Sequence, residues 1–460
     1  MKRGLLQQTT SLGDIINFIG IGRFHLLIIF ITCGGYCAFC CELMVYVFLS
    51  DRLGDVWNLT HLQYSLLPFG TNCANFIGGL VLGYMSDRWG RVWSFAISTM
   101  FIFVFGLVSV FATSFSFFVV MRVLVNVGIC GALTTLFPTL LEFLPSKDRG
   151  RYMTYIILCG TLGATFTAGL SWWLVPTYPK LGWRIVLFIC AVPSFIILFV
   201  RMLFRYESPH FLVGQGELGK AASVLETMAT INGRPLHDIG LSRREKVIQV
   251  LHETYETAQD ENKTPVTSLF QRKYLRTTLL LSVAFICQTG GYWGVTLFLP
   301  AQLEKLGVDG YFNTFAVFLA EFPGILLVAI IIEWPEIGRL NTFRIFSAMT
   351  VCFMALFGIV QNPIATTVFS MLLYFAMVPI FGIMYTYISE VYPTRARSVA
   401  LAYMNFIGSL PGLVTPFVSG YLVDVKLVWL YPVVWAVVFS VQLVAAILLR
   451  QETHHTELLE

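Results

Sequence analysis

Twelve apolar runs of about 20 residues each restrict what this chain can fold into more than any other feature. A helix of that length crosses the roughly 30 Å hydrocarbon core of a bilayer. Only 12% of the residues are charged, against about 25% in soluble proteins. We therefore predict an all-α integral membrane protein with twelve transmembrane helices. They lie near 24–49, 62–85, 92–113, 116–140, 152–175, 184–204, 275–298, 311–333, 342–360, 364–389, 400–423 and 428–449.

One long polar stretch, 205–274, separates the first six runs from the last six. Its basic and acidic residues nearly balance, and it contains segments with helical periodicity. We predict an N-terminal six-helix bundle over 1–204, a linker over 205–274, and a C-terminal six-helix bundle with a short tail over 275–460.

The Lys and Arg residues are unevenly distributed between alternate loops. If the N-terminus lies inside, the short inner segments carry thirteen of them and the outer loops carry five. The positive-inside rule then predicts that both termini and the linker are cytosolic. Asn58, in the triplet Asn58-Leu59-Thr60, falls in the first outer loop as a candidate glycosylation site. Trp172 and Trp173 are expected near the outer membrane interface.

Two local patterns do not predict catalytic or metal chemistry. All ten cysteines lie in predicted spans, where thiols behave as small apolar groups, so no metal or other cofactor is expected. The segment from Gly214 to Lys220 resembles a phosphate-binding loop, but Ala221 stands in place of Ser or Thr and no strand precedes it. We expect neither an enzyme nor a nucleic-acid partner.

The two halves of the sequence repeat one another. Gly90-Arg91 follows the second run and Gly338-Arg339 follows the eighth, while Glu142 and Glu390 follow the fourth and tenth. Both pairs are separated by the same 248 residues. Some transporters are built from such duplicated halves, related by an axis along the membrane normal.

These loops resemble signatures of the major facilitator superfamily. The resemblance is carried by Gly83-x-x-x-Asp87-Arg88-x-Gly90-Arg91, by the segment from Arg122 to Arg149-Gly150 and by Glu207-Ser208-Pro209. It implies two pseudo-symmetric six-helix bundles and gradient-driven transport of a small organic solute by alternating access. We expect a monomer in the lipid bilayer, in the plasma membrane or an intracellular vesicle.

A narrower resemblance is to synaptic-vesicle-2-related transporters and their bacterial niacin-type relatives, carried by DIINFIGIGRFH, GGYWG, LAEFPGIL and SEVYPTRAR. It implies an organic ion or aromatic metabolite as solute. Sugar porters usually carry QQ-x-x-G-x-N where this chain reads CQTGGYWG. Phe39 replaces the first of two acids common in this branch, and Glu336 replaces a basic residue. Proton-coupled and facilitative transport therefore both stay open, as do a sugar porter and a non-transporting vesicle protein on the same scaffold.

Glu42 and Arg122 are candidates for proton coupling, because an ionisable group inside a bilayer needs a partner. Glu42 lies about 27 Å along the first helix, and Arg122 about 9 Å below the outer end of the fourth. The two are therefore expected to meet. Their pairing can be a protonation switch or a permanent structural contact.

Candidate solute-binding residues lie near the middle of the membrane. Glu321 is about 15 Å into the eighth helix and can neutralise a cation or take up a proton. Aromatic rings at similar depth stack on planar or cationic solutes, and an amide offers hydrogen bonds. This candidate set is Glu321, Gln288, Tyr36, Tyr292, Trp293 and Tyr374.

Charged residues at the inner helix ends form a candidate cytosolic gate. Opposite charges there can bridge the halves when the inside is closed, each exposed pair contributing about 0–1 kcal/mol. The set is Asp87, Arg88, Arg91, Glu142, Arg149, Glu390, Arg395 and Arg397.

Overall fold

The computed structural model describes residues 11–145, 149–239, 241, 244–261, 266–332, 334, 337–360, 362–392, 394–425 and 429–450. All regular structure in these ranges is helical. Twelve spans are long and apolar enough to cross a bilayer. The predicted fold class is confirmed.

The N-terminal half contains the first six spans. Its helices are α1 (Leu12–Ile19), α2 (Arg23–Phe48), α3 (Ser50–Trp57), α4 (His61–Tyr64), α5 (Leu66–Trp89), α6 (Arg91–Ser109), α7 (Phe115–Phe143), α8 (Arg149–Thr177) and α9 (Gly182–Leu203). Helices α4 and α5 together form the second span. Helix α6 ends short of the predicted boundary at 113, and α7 continues past the predicted 140.

The polar stretch after the sixth span folds into three helices. These are α10 (Pro209–Gly214), α11 (Leu218–Ile231) and α12 (Arg244–Glu261), with 3₁₀ turns at Leu236–Ile239 and Val266–Phe270. Helix α10 starts at Ser208-Pro209 for a local reason. The Ser208 hydroxyl accepts a hydrogen bond from the Phe211 backbone N–H at 3.2 Å, and proline is suited to the first helical position.

Helix α1, which was not predicted from the sequence, packs against α11 and α12. Four of its five apolar residues recur at the spacing of one helix face and are buried: Leu12, Ile15, Ile16 and Ile19. That face shares one buried cluster with residues of α11 and α12, among them Leu225, Met228, Val247 and Leu251. Because these apolar faces are buried against one another, α1 and the α11–α12 pair stabilise each other.

Asn232 ties the start of α2 to the end of α11. Its side-chain oxygen accepts a hydrogen bond from Phe24 N at 3.0 Å, and its amide nitrogen donates to Gly20 O at 3.1 Å. The same nitrogen lies 3.1 Å from His25 Nδ1. The buried His25 ring then reaches the Phe143 carbonyl at 3.0 Å, so one asparagine joins α2, α7 and α11.

The C-terminal half contains the last six spans. Its helices are α13 (Leu275–Thr296), α14 (Leu299–Lys305), α15 (Gly310–Ile331), α16 (Gly338–Ile359), α17 (Pro363–Met377), α18 (Pro379–Val391), α19 (Thr394–Ser409), α20 (Pro411–Asp424) and α21 (Leu430–Leu448). The tenth and eleventh spans are each broken into two helices. In both, a proline without an N–H (Pro379 and Pro411) begins the second helix.

Buried residues form three clusters that distinguish the two ends of the spans. Because consecutive spans alternate in direction, α3 and α14 lie at one end, here called the α3 end, and α10–α12 lie at the other, the linker end. The cluster near the α3 end contains residues of both halves, such as Phe48 and Phe298. The second cluster contains only the N-terminal half with α10–α12, and the third only residues from 269 onward.

The two halves meet mainly through α8 against α15 and α4–α5 against α20. Near the α3 end, the Ser65 hydroxyl donates to Pro416 O at 2.7 Å and Leu62 N donates to an Asp424 carboxylate oxygen at 3.3 Å. Trp172 stacks on Phe315 at 5.7 Å between ring centroids. The shared packing therefore seals the halves together at the α3 end.

Candidate functional site

Glu42 and Arg122 form a buried ion pair between α2 and α7. Arg122 Nη1 donates to Glu42 Oε2 at 2.5 Å, and Nη2 donates to the Glu42 main-chain carbonyl. The two side chains are 0% and 1% exposed. Glu42 stands six residues before the end of α2, and Arg122 seven after the start of α7, which places both roughly 10 Å from the α3 end.

This pair is incompletely satisfied. Glu42 Oε1 and Arg122 Nε have no hydrogen-bond partner among the described residues. On α6, Gly106 makes room for the carboxylate, because a Cβ at this position would stand 2.8 Å from Glu42 Oε1. An ion pair with free lone pairs in a region of low dielectric is expected to respond strongly to the loss of either charge.

A ladder of amides continues from the pair toward the other half. Asn126, one turn beyond Arg122, donates to Thr71 O and Asn75 Oδ1, each at 2.5 Å. Asn75 in turn donates to Asn72 Oδ1 at 3.3 Å. These residues were not predicted from the sequence. Amide side chains at helical spacing within the apolar runs could have indicated them.

Glu321 lies at the interface of the halves and is 3% exposed. The Thr161 side chain on α8 lies beside its carboxylate, and this contact joins the N-terminal half to α15. Glu321 Oε1 has no partner among the described residues. The hydroxyls of Tyr36, Tyr292 and Tyr374 lie close enough to interact electrostatically with the carboxylate.

The aromatic candidates on α13 and α17 pack around one another. Tyr292 contacts Trp293, Tyr374 and Phe381 at centroid distances of 5.3, 6.5 and 5.5 Å. The Tyr374 hydroxyl also hydrogen-bonds the Thr296 hydroxyl at 2.8 Å and is buried. Tyr292 and Trp293 are only half-buried, as is Tyr36 on α2. These three side chains are therefore partly exposed.

Gln288 has both ends of its amide engaged. Its nitrogen donates to Met377 O at 2.8 Å, and its oxygen accepts from Gln442 at 2.8 Å. The Met377 carbonyl is available because, at the α17–α18 break, Phe381 N donates to Val378 O instead. In this conformation Gln288 therefore stabilises a helix break, and contact with solute stays a prediction.

The linker end of the N-terminal half is organised by Arg91. Its guanidinium donates to Asp87 at 2.8 Å and to Glu142 at 3.4 Å. The Glu207 carboxylate accepts from the backbone N–H groups of Arg91 and Val92 at 2.9 and 3.1 Å. An acidic side chain at a helix N-terminus is favourable, so Glu207 stabilises the start of α6.

The C-terminal half repeats the same contact. Arg339 Nε lies 3.1 Å from both carboxylate oxygens of Glu390. Arg339 and Glu390 are the counterparts, 248 residues on, of Arg91 and Glu142. Each of these ion pairs lies within its own half.

Of the other four arginines of the predicted gate, the structure describes the side chain of Arg88 only. Arg88 donates to the Tyr84 hydroxyl at 2.9 Å. The side chains of Arg149, Arg395 and Arg397 lie outside the described part of the chain. The gate therefore stays a prediction.

Asn58 ends α3 in the left-handed conformation, with φ 51°. Asparagine tolerates this region better than most residues. Asn58 and Thr60 are both exposed, so the triplet is accessible.

Comparison with known proteins identifies relatives over most of the chain. A family model described as Major Facilitator Superfamily matches residues 31–416. Organic cation/carnitine transporter 7 of Arabidopsis thaliana is 27% identical, with 89% of this chain and 88% of the relative covered. Synaptic vesicle 2-related protein of Bos taurus is 28% identical, with 90% of this chain and 76% of the relative covered.

Solved structures show the same fold. The inward open conformation of the xylose transporter XylE from E. coli superimposes with a TM-score of 0.70 at 18% identity. The match covers 92% of this chain and 95% of that chain.

Proposed function

Because the chain belongs to the Major Facilitator Superfamily and is a multi-pass membrane transporter of organic solutes, we propose that its solute is a small organic cation bound at Glu321. The proposal depends most on one observation. Glu321 is a buried carboxylate at the interface of the halves, with one free oxygen among the described residues and no Arg or Lys among its electrostatic partners.

Burial of an unpaired carboxylate is unfavourable by several kcal/mol, so the group binds a proton or a cation. The side chains of Tyr36, Tyr292 and Trp293 are partly exposed. Cation–π contact with such rings contributes about 0.5–2 kcal/mol per ring. An amine or quaternary ammonium solute satisfies the carboxylate and the rings together.

Transport would proceed by alternating access between the halves. Packing at the α3 end holds the halves together there, whereas the Arg91–Glu142 and Arg339–Glu390 ion pairs each stay within one half. We propose that these linker-end charges exchange partners across the halves in the opposite state. The bonds at the α3 end, such as Ser65 to Pro416, would then break.

Proton coupling is assigned to Glu42 and Arg122. Protonation of Glu42 would remove its attraction for Arg122 while leaving the bond from Arg122 to the Glu42 carbonyl. The weakened attraction would change the contact between α2 and α7. Both helices continue to the linker end, so they can carry the change there. We also propose the division 1–204, 205–274 and 275–460, with the linker and both termini in the cytosol.

The test uses purified protein in proteoliposomes with a panel of organic cations, aromatic acids and hexoses. We expect counterflow for a cation. For an amine, Glu321→Gln should weaken binding about 10- to 100-fold, the effect of losing a charged hydrogen bond worth about 1.5–3 kcal/mol. The matched control is Glu304→Gln, which removes an exposed carboxylate on α14.

Two outcomes would contradict the proposal. One is a cation counterflow that Glu321→Gln leaves unchanged. The other is selective counterflow of a hexose or an anion, which would reject a cation as the solute.

A further inference from the structure

A groove of about 410 Å³ opens on the C-terminal half, where the start of α13 runs beside the end of α21. It lies apart from Glu42, Glu321 and the linker-end ion pairs. Its walls combine two basic and four apolar side chains: Arg272, Arg276, Leu275, Leu279, Leu280 and Leu448.

Both arginines of the groove lie near the start of α13, and Leu279 and Leu280 lie about one turn beyond Arg276. Arg272 precedes the first residue of the span, and Leu279 lies seven residues further on, about 10 Å deeper. Leu275, Leu279 and Leu448 are 38%, 50% and 46% exposed. Leu279 therefore lies deeper than both arginines, at the level of acyl chains, whereas Leu275 and Leu448 lie at the level of Arg276, near the lipid headgroups.

Within the described part of the chain, neither positive charge is paired with a carboxylate. Arg276 Nη2 donates to the Leu448 carbonyl at 3.2 Å, a bond that orients its guanidinium without cancelling its charge. Among the ion pairs between described residues, none includes Arg272 or Arg276. Both side chains are exposed.

We propose that this groove binds one anionic phospholipid, with the phosphate between Arg272 and Arg276 and an acyl chain along Leu275, Leu279 and Leu448. Arginine suits phosphate because its planar fork donates two parallel hydrogen bonds. Free phosphate would leave the exposed leucines uncovered, whereas a lipid covers them with its chain. Basic pockets between spans on the cytoplasmic side are typical sites for anionic headgroups.

The experiment measures lipid retention by native mass spectrometry on purified, delipidated protein. Phosphatidylglycerol and phosphatidylcholine of equal chain length are titrated in parallel. We expect one phosphatidylglycerol to be retained selectively. The double substitution Arg272→Gln with Arg276→Gln should weaken phosphatidylglycerol binding roughly 10- to 30-fold. This follows because each basic residue near an anionic headgroup contributes about 1 kcal/mol.

A matched control removes two charges outside the groove. Arg205→Gln with Lys273→Gln takes away one exposed arginine over Trp93 and one lysine beside Tyr274. We expect less than about threefold loss there. Leu279→Trp fills the apolar floor and keeps both arginines, so it should also weaken the lipid. Elution of each variant as a monodisperse peak shows that it is folded.

Three outcomes would overturn the proposal. Equal retention of the two lipids would remove the need for an anionic headgroup. Equal loss in the groove and control variants would show a general effect of surface charge. Displacement of the lipid by millimolar inorganic phosphate would point to a simple phosphate site.

Discussion

Replacing Glu42 by glutamine tests the buried ion pair most directly. Glutamine keeps the size of the side chain and one hydrogen bond to Arg122, but it leaves the guanidinium charge uncompensated. With both side chains 0–1% exposed, little solvent screening is available. Breaking a buried pair by removing one partner costs about 3–5 kcal/mol. The retained hydrogen bonds place the expected loss of stability at the lower end of that range.

A double-mutant cycle separates the pair from its surroundings. Glu42→Gln, Arg122→Met and the double variant would be melted in detergent, with a dye that becomes fluorescent on reaction with the buried cysteines Cys33, Cys41 and Cys190 as they are exposed. Because the double variant buries no unpaired charge, it should be more stable than the sum of the single losses by at least about 1.5 kcal/mol. A coupling energy below about 1 kcal/mol, with the single losses nearly additive, would refute the assignment of a strong buried pair.

The same variant separates coupling from solute binding. In proteoliposomes we expect Glu42→Gln to abolish accumulation driven by a pH gradient while solute exchange continues. Glu321→Gln should instead reduce exchange. If Glu42→Gln accumulates solute like the wild type, Glu42 has no part in the mechanism.

The remaining predictions concern packing and modification. Gly106→Ala should destabilise the protein by about 1–3 kcal/mol because its Cβ would stand 2.8 Å from Glu42 Oε1, whereas Gly79→Ala, with nothing within 4 Å, should have little effect in the same melting assay. Gln288→Leu leaves a buried main-chain carbonyl at the α17–α18 break unpaired, so a loss of about 1–3 kcal/mol is expected in thermal melts; unchanged melting would show that water or a neighbour replaces the amide. Asn58→Gln should abolish any shift in gel mobility caused by glycosidase on protein from eukaryotic cells, and a shift that persists would place the glycan elsewhere.

Depth along a helix could be predicted from the sequence, whereas direction around it could not. Span number followed from the apolar runs, and the meeting of Glu42 with Arg122 followed from the fixed rise per residue. Trp172 shows the limit of this reasoning. Its depth suited an interfacial anchor, but it faces the other half and stacks on Phe315. Gln288 similarly has the expected depth, but its amide engages α17 and α21.

Short amphipathic elements and local polar networks were also missed. Helix α1 has eight residues, which is too short to stand out as an apolar run. The amide ladder of Asn72, Asn75 and Asn126 depends on which faces of α5 and α7 meet, and that is decided by packing of the whole bundle.

The contacts of Asn232 have a consequence for biosynthesis. The asparagine that fixes the start of the first span lies 208 residues after Phe24 in the chain. A ribosome adding 5–20 residues per second needs roughly 10–40 s to cover that distance. During that interval the first six spans emerge with the entrance to α2 untethered and the apolar face of α1 uncovered. Nascent chains of this protein should therefore depend on membrane insertion factors or chaperones until α11 has left the ribosome.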